Sequence, residues 1–344
     1  MTGGSGAPEL LTAAQAVDRL RSLRAIEEFS ALTGELLLAV DLEPQGEALT
    51  GEAVAAACEV LARLPCPSLA LSRSRPRSVA ERALRDAFDV VVDDEKELAA
   101  LVEAVGRRPL ASAALVQLLR HNAKLDIHEG LVAESLVYST LQSGPEFASW
   151  LAEREPVAPA VISRQPAVRV EREGSRLSLT LNRPERHNAF SCEIRDALVE
   201  ALELAVGDSS VREIQLRGAG SSFCSGGDLA EFGTLPDPAT AHLIRSTRSP
   251  ARLLAACADR VRADLHGACV GAGIELPAYA RRVVAREDAF FELPEVSMGL
   301  VPGAGGTASL PRRIGRQRTA RLALSGRRLD AATALGWGLV DELR

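Results

Sequence analysis

Beyond residue 167, strand-like and helix-like periodicities alternate, and this alternation constrains the fold more than any other feature of the chain. Leu177, Leu179 and Leu181 alternate with polar residues, the pattern of a strand with one buried face. Ser191 is placed to cap a helix that carries Ile194, Leu198 and Leu202 on one side. Residues 211–216 read as a second strand that ends in a glycine-rich turn. Strands alternating with helices imply an α/β layered domain over residues 168–344.

The preceding half has a different pattern. The stretch REPVAPAVISRQPA, residues 154–167, contains three prolines and no periodicity, as a linker does. Before it, residues 9–30 read as an amphipathic helix, 34–43 as a buried strand, 51–64 as a helix and 67–72 as a short strand. A polar, arginine-rich stretch (SRSRPRSVAER) then leads to a second apolar run at 88–92. From 95 to 154 apolar residues recur at helical spacing, with breaks at Pro109 and at Gly144 and Pro145. The organisation expected is an α/β-helical region over 1–153, a linker over 154–167 and a core over 168–344.

Several function classes fit the composition poorly. The net charge is −6 and the basic residues are scattered, which argues against a nucleic-acid-binding face. No apolar run approaches the roughly 20 residues that cross a bilayer. The N-terminal MTGGSGAPELL has no basic stretch followed by an apolar core, so it does not read as a secretory signal. Six cysteines (Cys58, Cys66, Cys192, Cys224, Cys257 and Cys269) lack paired spacing and are expected to be reduced. A soluble, cytoplasmic protein with neither a nucleic-acid nor a membrane partner is expected. Dispersed histidines, with no second His to complete His128–Glu129, give no expected metal site.

Three segments of the second half could carry chemistry. FCSGGDL, residues 223–229, follows a strand, and its glycines let a ligand approach main-chain N–H groups. HGACVGAGIEL, residues 266–276, runs from a small-residue loop into an apolar segment. It would expose the N–H groups of a helix's first turn to an oxyanion or a phosphate. FELPEVSMGLVPGAGGT, residues 291–307, holds two carboxylates followed by a glycine-rich turn. Taken singly, each reads equally as an ordinary turn, and either glutamate as a solvated surface group. The run 303–308 loosely mimics a dinucleotide fingerprint but follows a proline and lacks a ribose-binding acid about 20 residues on.

In order, these segments resemble the crotonase family, the enoyl-CoA hydratases and isomerases. The match begins at NRPERHNAFS (182–191) and runs through LSGRRLDAATALGWGLVDEL (324–343). The resemblance implies an α/β fold, the ClpP-like crotonase spiral of ββα units, acting on an acyl-CoA thioester. It implies an oxyanion hole from the N–H groups of Gly227 and Ala272, and catalysis by Glu275 and Glu295. Substrate contacts would come from Ser225, Gly226, Asp228, Leu229, Gly271, Gly273, Pro302 and Gly303. No cofactor is implied beyond the coenzyme A of the substrate, and homo-trimers or hexamers are expected. Enoyl-CoA hydration, a lyase reaction of fatty acid metabolism, is the first expectation. Double-bond isomerisation, a cofactor-free dioxygenase reaction and a non-catalytic acyl-CoA-binding subunit are the alternatives.

Two departures from the family pattern bear on the site. Glu292 adds a third acid beside Glu295, expected to face solvent, and CADRVRADLHG lacks the usual Lys-Pro. Arg245 and Arg248 are candidates for the CoA phosphates, with solvated surface as the commoner fate. Phe232 and Leu235 are expected to line part of the acyl pocket. The resemblance runs to Leu343 and Arg344, and the family's closing helices are expected instead in residues 86–154, which resemble them and end in EFASWLAER. An order of parts resembling a circular permutation is therefore expected, with an unrelated helical extension as the other reading.

Overall fold

The computed structural model describes residues 9–43, 49–155 and 163–344, so the middle of the expected linker, 156–162, lies outside the described residues. The chain begins with β1 (Leu10–Thr12), α1 (Ala13–Leu20), α2 (Ala25–Glu28) and β2 (Leu38–Asp41). It continues through α3 (Gly51–Leu61), β3 (Ser68–Leu71), α4 (Val79–Ala87) and β4 (Val90–Val92). The four strands form a parallel sheet in the order β1-β2-β3-β4. Strand alternation sends Leu38, Val40 and Ala70 to one core with Val17, Val54 and Leu61. It sends Leu37, Ala39, Leu69 and Leu71 to another.

Two early expectations are corrected. The helix expected over 9–30 is divided, because Leu10–Thr12 pair with β2 before the helix begins. Thr12 then starts α1 through a capping box with Gln15. The arginine-rich stretch contains α4, capped by Ser78 Oγ on Glu81 N at 3.1 Å. That helix buries Leu84 alone.

Four helices follow: α5 (Glu95–Arg107), α6 (Pro109–Asn122), α7 (Ile127–Gln142) and α8 (Pro145–Glu153). Pro109 and Pro145 stand in the first turns of α6 and α8, where a missing N–H costs nothing. One break was not anticipated: Asp126 and Glu129 form a capping box that starts α7.

The second half holds β5 (Val168–Glu173), β6 (Arg176–Leu181), α9 (Cys192–Gly207), β7 (Glu213–Gly218), α10 (Pro238–Thr247) and α11 (Pro250–Ala256). Next come β8 (Val261–Leu265), β9 (Ala268–Val270), α12 (Ala272–Glu275), β10 (Arg282–Ala285), β11 (Phe290–Glu292) and α13 (Gly306–Ile314). The chain ends with α14 (Arg316–Ser325), β12 (Leu329–Asp330), α15 (Ala331–Trp337) and β13 (Glu342–Leu343). One sheet has the order β13-β10-β8-β7-β6-β5, and a smaller one the order β12-β11-β9. The β8–β9–α12 unit steps from the large sheet to the small one before its helix, and β10 and β11 step the same way. This repetition is the spiral of ββα units expected.

The two halves share one core. Leu69, Val90, Leu101 and Leu119 of the first half belong to the same apolar cluster as Leu310, Ala320 and Leu324 of the second. At their junction Asp89 is buried at 1% exposure. Its carboxylate accepts Ser68 N at 2.9 Å, Ser68 Oγ at 2.8 Å and Arg316 Nη1 at 2.6 Å, and is paired with Arg120. Asp89 thus ties β3, α6 and α14 together. Among the described residues, no helix is long and apolar enough to cross a membrane.

Removing one partner of a buried pair strands the other charges, so Asp89→Ala should cost about 3–5 kcal/mol of stability. The urea unfolding midpoint measures it. A midpoint within error of the parent would show that the junction does not depend on this carboxylate.

Candidate active site

Two tight turns lie against each other at the centre of the second half. In the first, buried Asn188 donates from Nδ2 to Ala219 O at 2.8 Å and Ser222 O at 2.9 Å, fixing the loop before α9. Phe190 N then donates to Gly226 O at 2.7 Å and Asp228 N to Phe190 O at 3.1 Å. This single bridge uses the carbonyl before Gly227 and the N–H after it, and the Gly227 N–H itself has no acceptor among the described residues. Gly226 has φ +96, open to glycine without strain, and a Cβ there would lie 3.4 Å from Val270 O in the second turn. Asp228 is buried and holds the loop from below, accepting Arg186 Nη2 at 2.8 Å and Ala230 N at 3.0 Å.

The second turn follows β9. Gly271 has φ +50 and donates to Glu292 O at 2.9 Å, and a Cβ on it would collide with Glu295 Oε1. Ala272 opens α12, so its N–H is a first-turn donor without an intrahelical acceptor. Gly273 is needed for a different reason: a Cβ there would overlap Cys224 O, so it serves the packing of the two turns.

Both expected glutamates are buried here, Glu275 at 2% and Glu295 at 9% exposure. Glu275 Oε2 accepts Ala304 N at 2.7 Å and Gly306 N at 2.8 Å. Glu295 Oε2 is buried and has no hydrogen-bond partner. Burial holds both carboxyls above their ordinary range. The Glu275 carboxyl is pushed well up, further raised by the charges of Glu295 and Glu134 and opposed by its two N–H bonds. Glu295 is pushed up to about 8, mainly by burial, with Glu134 and Glu292 adding to the effect.

The third acid was not legible in the sequence. Glu134, on α7, is 2% exposed and reaches the same glycine-rich loop. Its Oε1 accepts Gly305 N at 2.7 Å, and its Oε2 accepts Thr307 N at 2.8 Å and Thr307 Oγ1 at 2.6 Å. Glu134 and Glu275 therefore take alternate N–H groups of the loop 304–307. Burial raises Glu134 to about 7 against those bonds and against Arg245. The only hint in the sequence was a carboxylate on the helix face that also carries Leu131 and Tyr138.

Helices α7 and α8 close over these turns. The Tyr138 ring occupies the space a Cβ on Gly303 would need, beside buried Pro302. Phe147, Trp150 and Phe232 form an aromatic cluster, with Trp150 and Phe232 centroids 5.8 Å apart. Arg154 donates to Leu229 O at 2.5 Å and Phe232 O at 3.2 Å, fastening α8 to the first turn. Of the residues expected to contact substrate, Ser225 is half-buried and Leu229 is exposed. Leu235 is also exposed, so Phe232 alone of the expected pocket pair joins the aromatic cluster.

Three charged residues depart from their expected surface roles. Glu292 is half-buried and paired with Arg328 at 3.2 Å. Arg245 is half-buried, donating to Ser135 Oγ at 3.1 Å and Ser139 Oγ at 2.5 Å while stacking on Tyr138. Arg248 pairs with Asp196 at 3.0 Å. Arg245 thus fastens α10 to α7, a role visible only once the two helices are brought together.

These raised carboxyls give folding stability a pH dependence of definite sign. A carboxyl raised in the folded state contributes stability that is full below its unfolded value, 4.5, and lost as pH rises through about 8. The parent should lose on the order of a few kcal/mol between about pH 5 and about pH 8.5, and Glu295→Gln should lose less. Urea unfolding at the two pH values measures this, and equal losses in parent and variant would contradict it.

A family model described as Enoyl-CoA hydratase/isomerase matches residues 171–344. The chain is 38% identical over 171 residues to the 1,2-epoxyphenylacetyl-CoA isomerase of Escherichia coli, covering 48% of this chain and 65% of that protein. It is 38% identical over 185 residues to the 2,3-dehydroadipyl-CoA hydratase of the same organism, covering 53% of this chain and 68% of that protein. A solved enoyl-CoA hydratase from Thermoplasma volcanium is 34% identical, covering 53% of this chain and 73% of that one, with a TM-score of 0.48. The chain thus spans about two thirds of these relatives' lengths. The match takes in both turns and both glutamates of the site, and the chain belongs to the enoyl-CoA hydratase/isomerase family.

Proposed function

We propose that this chain adds water to an α,β-unsaturated acyl-CoA, or removes it, at the site between Gly227, Ala272, Glu275 and Glu295. The observation that carries this reading is a pair of buried carboxyls, one anchored and one unpartnered, beside two N–H groups without acceptors. The Gly227 and Ala272 N–H groups would receive the thioester oxygen. Hydroxyl addition at Cβ moves the π electrons toward that oxygen, and one preorganised donor is worth roughly 3–4 kcal/mol to the developing charge.

The acid and the base follow from environment. Two coupled carboxyls that both titrate high share a proton near neutrality, so one is acid and the other base. Two backbone N–H bonds favour the charge on Glu275, which accepts a proton from water as its oxygen bonds to Cβ. Glu295, with an unpartnered oxygen and a raised pKa, delivers its proton to Cα as the enolate collapses. The proton left on Glu275 returns to Glu295 before the next turnover, so the net change is one water added across the double bond, and no cofactor beyond coenzyme A is needed.

We further propose that residues 86–154 are the family's closing helices in permuted order, acting within the same chain. The reach of Glu134 and Tyr138 to the glycine-rich loop, and the packing of Trp150 on Phe232, support this. A cytoplasmic homo-oligomer, trimer or hexamer, goes with the family reading, and light scattering measures its mass. A monomer would leave closure of the site to α7 and α8 alone.

A second reading, isomerisation at the same site, is favoured by the unpartnered Glu295 Oε2, which could move a proton between carbons. It is also favoured by the aromatic cluster, given that one relative is a 1,2-epoxyphenylacetyl-CoA isomerase. Loss of the enoyl-thioester ultraviolet band with crotonyl-CoA reports hydration, and gain of the band with a β,γ-unsaturated thioester reports isomerisation. Glu275→Gln and Glu295→Gln should each lower the rate by about 10²–10⁴-fold while CoA binding persists. Unchanged turnover in both variants would remove the two glutamates from the chemistry.

A further inference from the structure

A cavity of about 500 Å³ lies wholly in the first half of the chain. That volume falls within the roughly 300–1,000 Å³ typical of small-molecule sites. Its floor is built from Ala13, Leu42 and Ser72, each directly after the carboxyl end of β1, β2 or β3.

The chemistry of the walls is specific. Leu42, Val54 and Leu84 supply an apolar side, and Arg75, Arg77 and Arg85 a basic one. Arg85 Nε is buried without a hydrogen-bond partner. The two carboxylates on the walls are already engaged. Glu43 accepts Ser74 N at 2.8 Å and Ser74 Oγ at 2.7 Å, and Glu81 accepts Arg77 N at 2.5 Å. A polar recess of about 220 Å³ adjoins the cavity, shares Ser72, Ser74, Arg75 and Arg85 with it, and adds Arg73 and Arg321. Arg73, Arg75 and Arg77 come from the SRSRPRSVAER stretch and Arg85 from α4, none of which the acyl-CoA site uses.

We propose that this crevice binds a phosphorylated small molecule of about mononucleotide size. Its phosphoryl group would meet Arg75 and Arg85 beside Ser72 and Ser74, with its apolar body against Leu42, Val54 and Leu84. Arginine gives a phosphoryl group paired, charge-assisted hydrogen bonds. The site does not rest on the acyl-CoA reading, since none of the residues lining the cavity belongs to 168–344.

Calorimetric titration of the full chain with AMP, with hexyl phosphate and with inorganic phosphate, at about 0.15 M salt, tests it. Saturable one-to-one binding of AMP or hexyl phosphate is expected, tighter than that of inorganic phosphate. The stronger of the two identifies a base or an alkyl body. Arg75→Gln and Arg85→Gln should each weaken binding about tenfold, and Glu275→Gln should leave it unchanged. Arg75 is exposed, so its replacement does not threaten the fold, and circular dichroism checks the Arg85 variant. Absence of saturable binding, equal affinity for inorganic phosphate, or binding indifferent to Arg75→Gln would each overturn the proposal.

Discussion

The loop 304–307 offers four consecutive backbone N–H groups, and two buried carboxylates take them alternately. Glu275 holds Ala304 and Gly306, and Glu134 holds Gly305 and Thr307. Glu275 belongs to the ββα core and Glu134 to a helix that precedes it by more than a hundred residues. The loop can adopt this path because Gly305, at φ +104, needs no Cβ where Ala251 and Tyr279 press against it. The candidate site depends on this arrangement, since it joins Glu275, its charge environment and α7 through one short segment.

Burying three carboxyls together is costly, and burial disfavours their charged forms. Each is raised, with Glu134 near 7 and Glu295 near 8. In a purely structural core such groups would be replaced by apolar ones of similar size. Their retention next to two N–H groups without acceptors is what connects the strain of the site to acid–base chemistry.

The packing is continuous between the two halves of the chain. α7 and α8 lie over the two turns, while α5 and α6 join the parallel sheet of the first half to α14. Asp89 locks that junction through Arg120 and Arg316. Sequential order matters less than spatial order, because a core is indifferent to which of its elements was synthesised first. The first half can therefore close the active site on one side and keep a crevice of its own on the other.

The sequence by itself determined the second half of the molecule. The 2.0 period of Leu177, Leu179 and Leu181, the cap at Ser191, and glycines at 226, 271 and 305 are local requirements, readable from residue types. So were Glu275 and Glu295, because they stand in fixed register with those glycines. Glu134 and Tyr138 were not readable, since a buried carboxylate on a helix has no local signature. Nor did local pattern separate β1 from α1, because Leu10–Thr12 are a strand only through pairing with residues 39–41. Whether Arg245 meets solvent or Tyr138, and whether Glu292 stays free or meets Arg328, is likewise fixed by elements distant in the chain. Local propensity and spacing act over a few residues. Burial, charge coupling and strand pairing exist only after tertiary contacts have formed, and these decided the protonation and enclosure of the site.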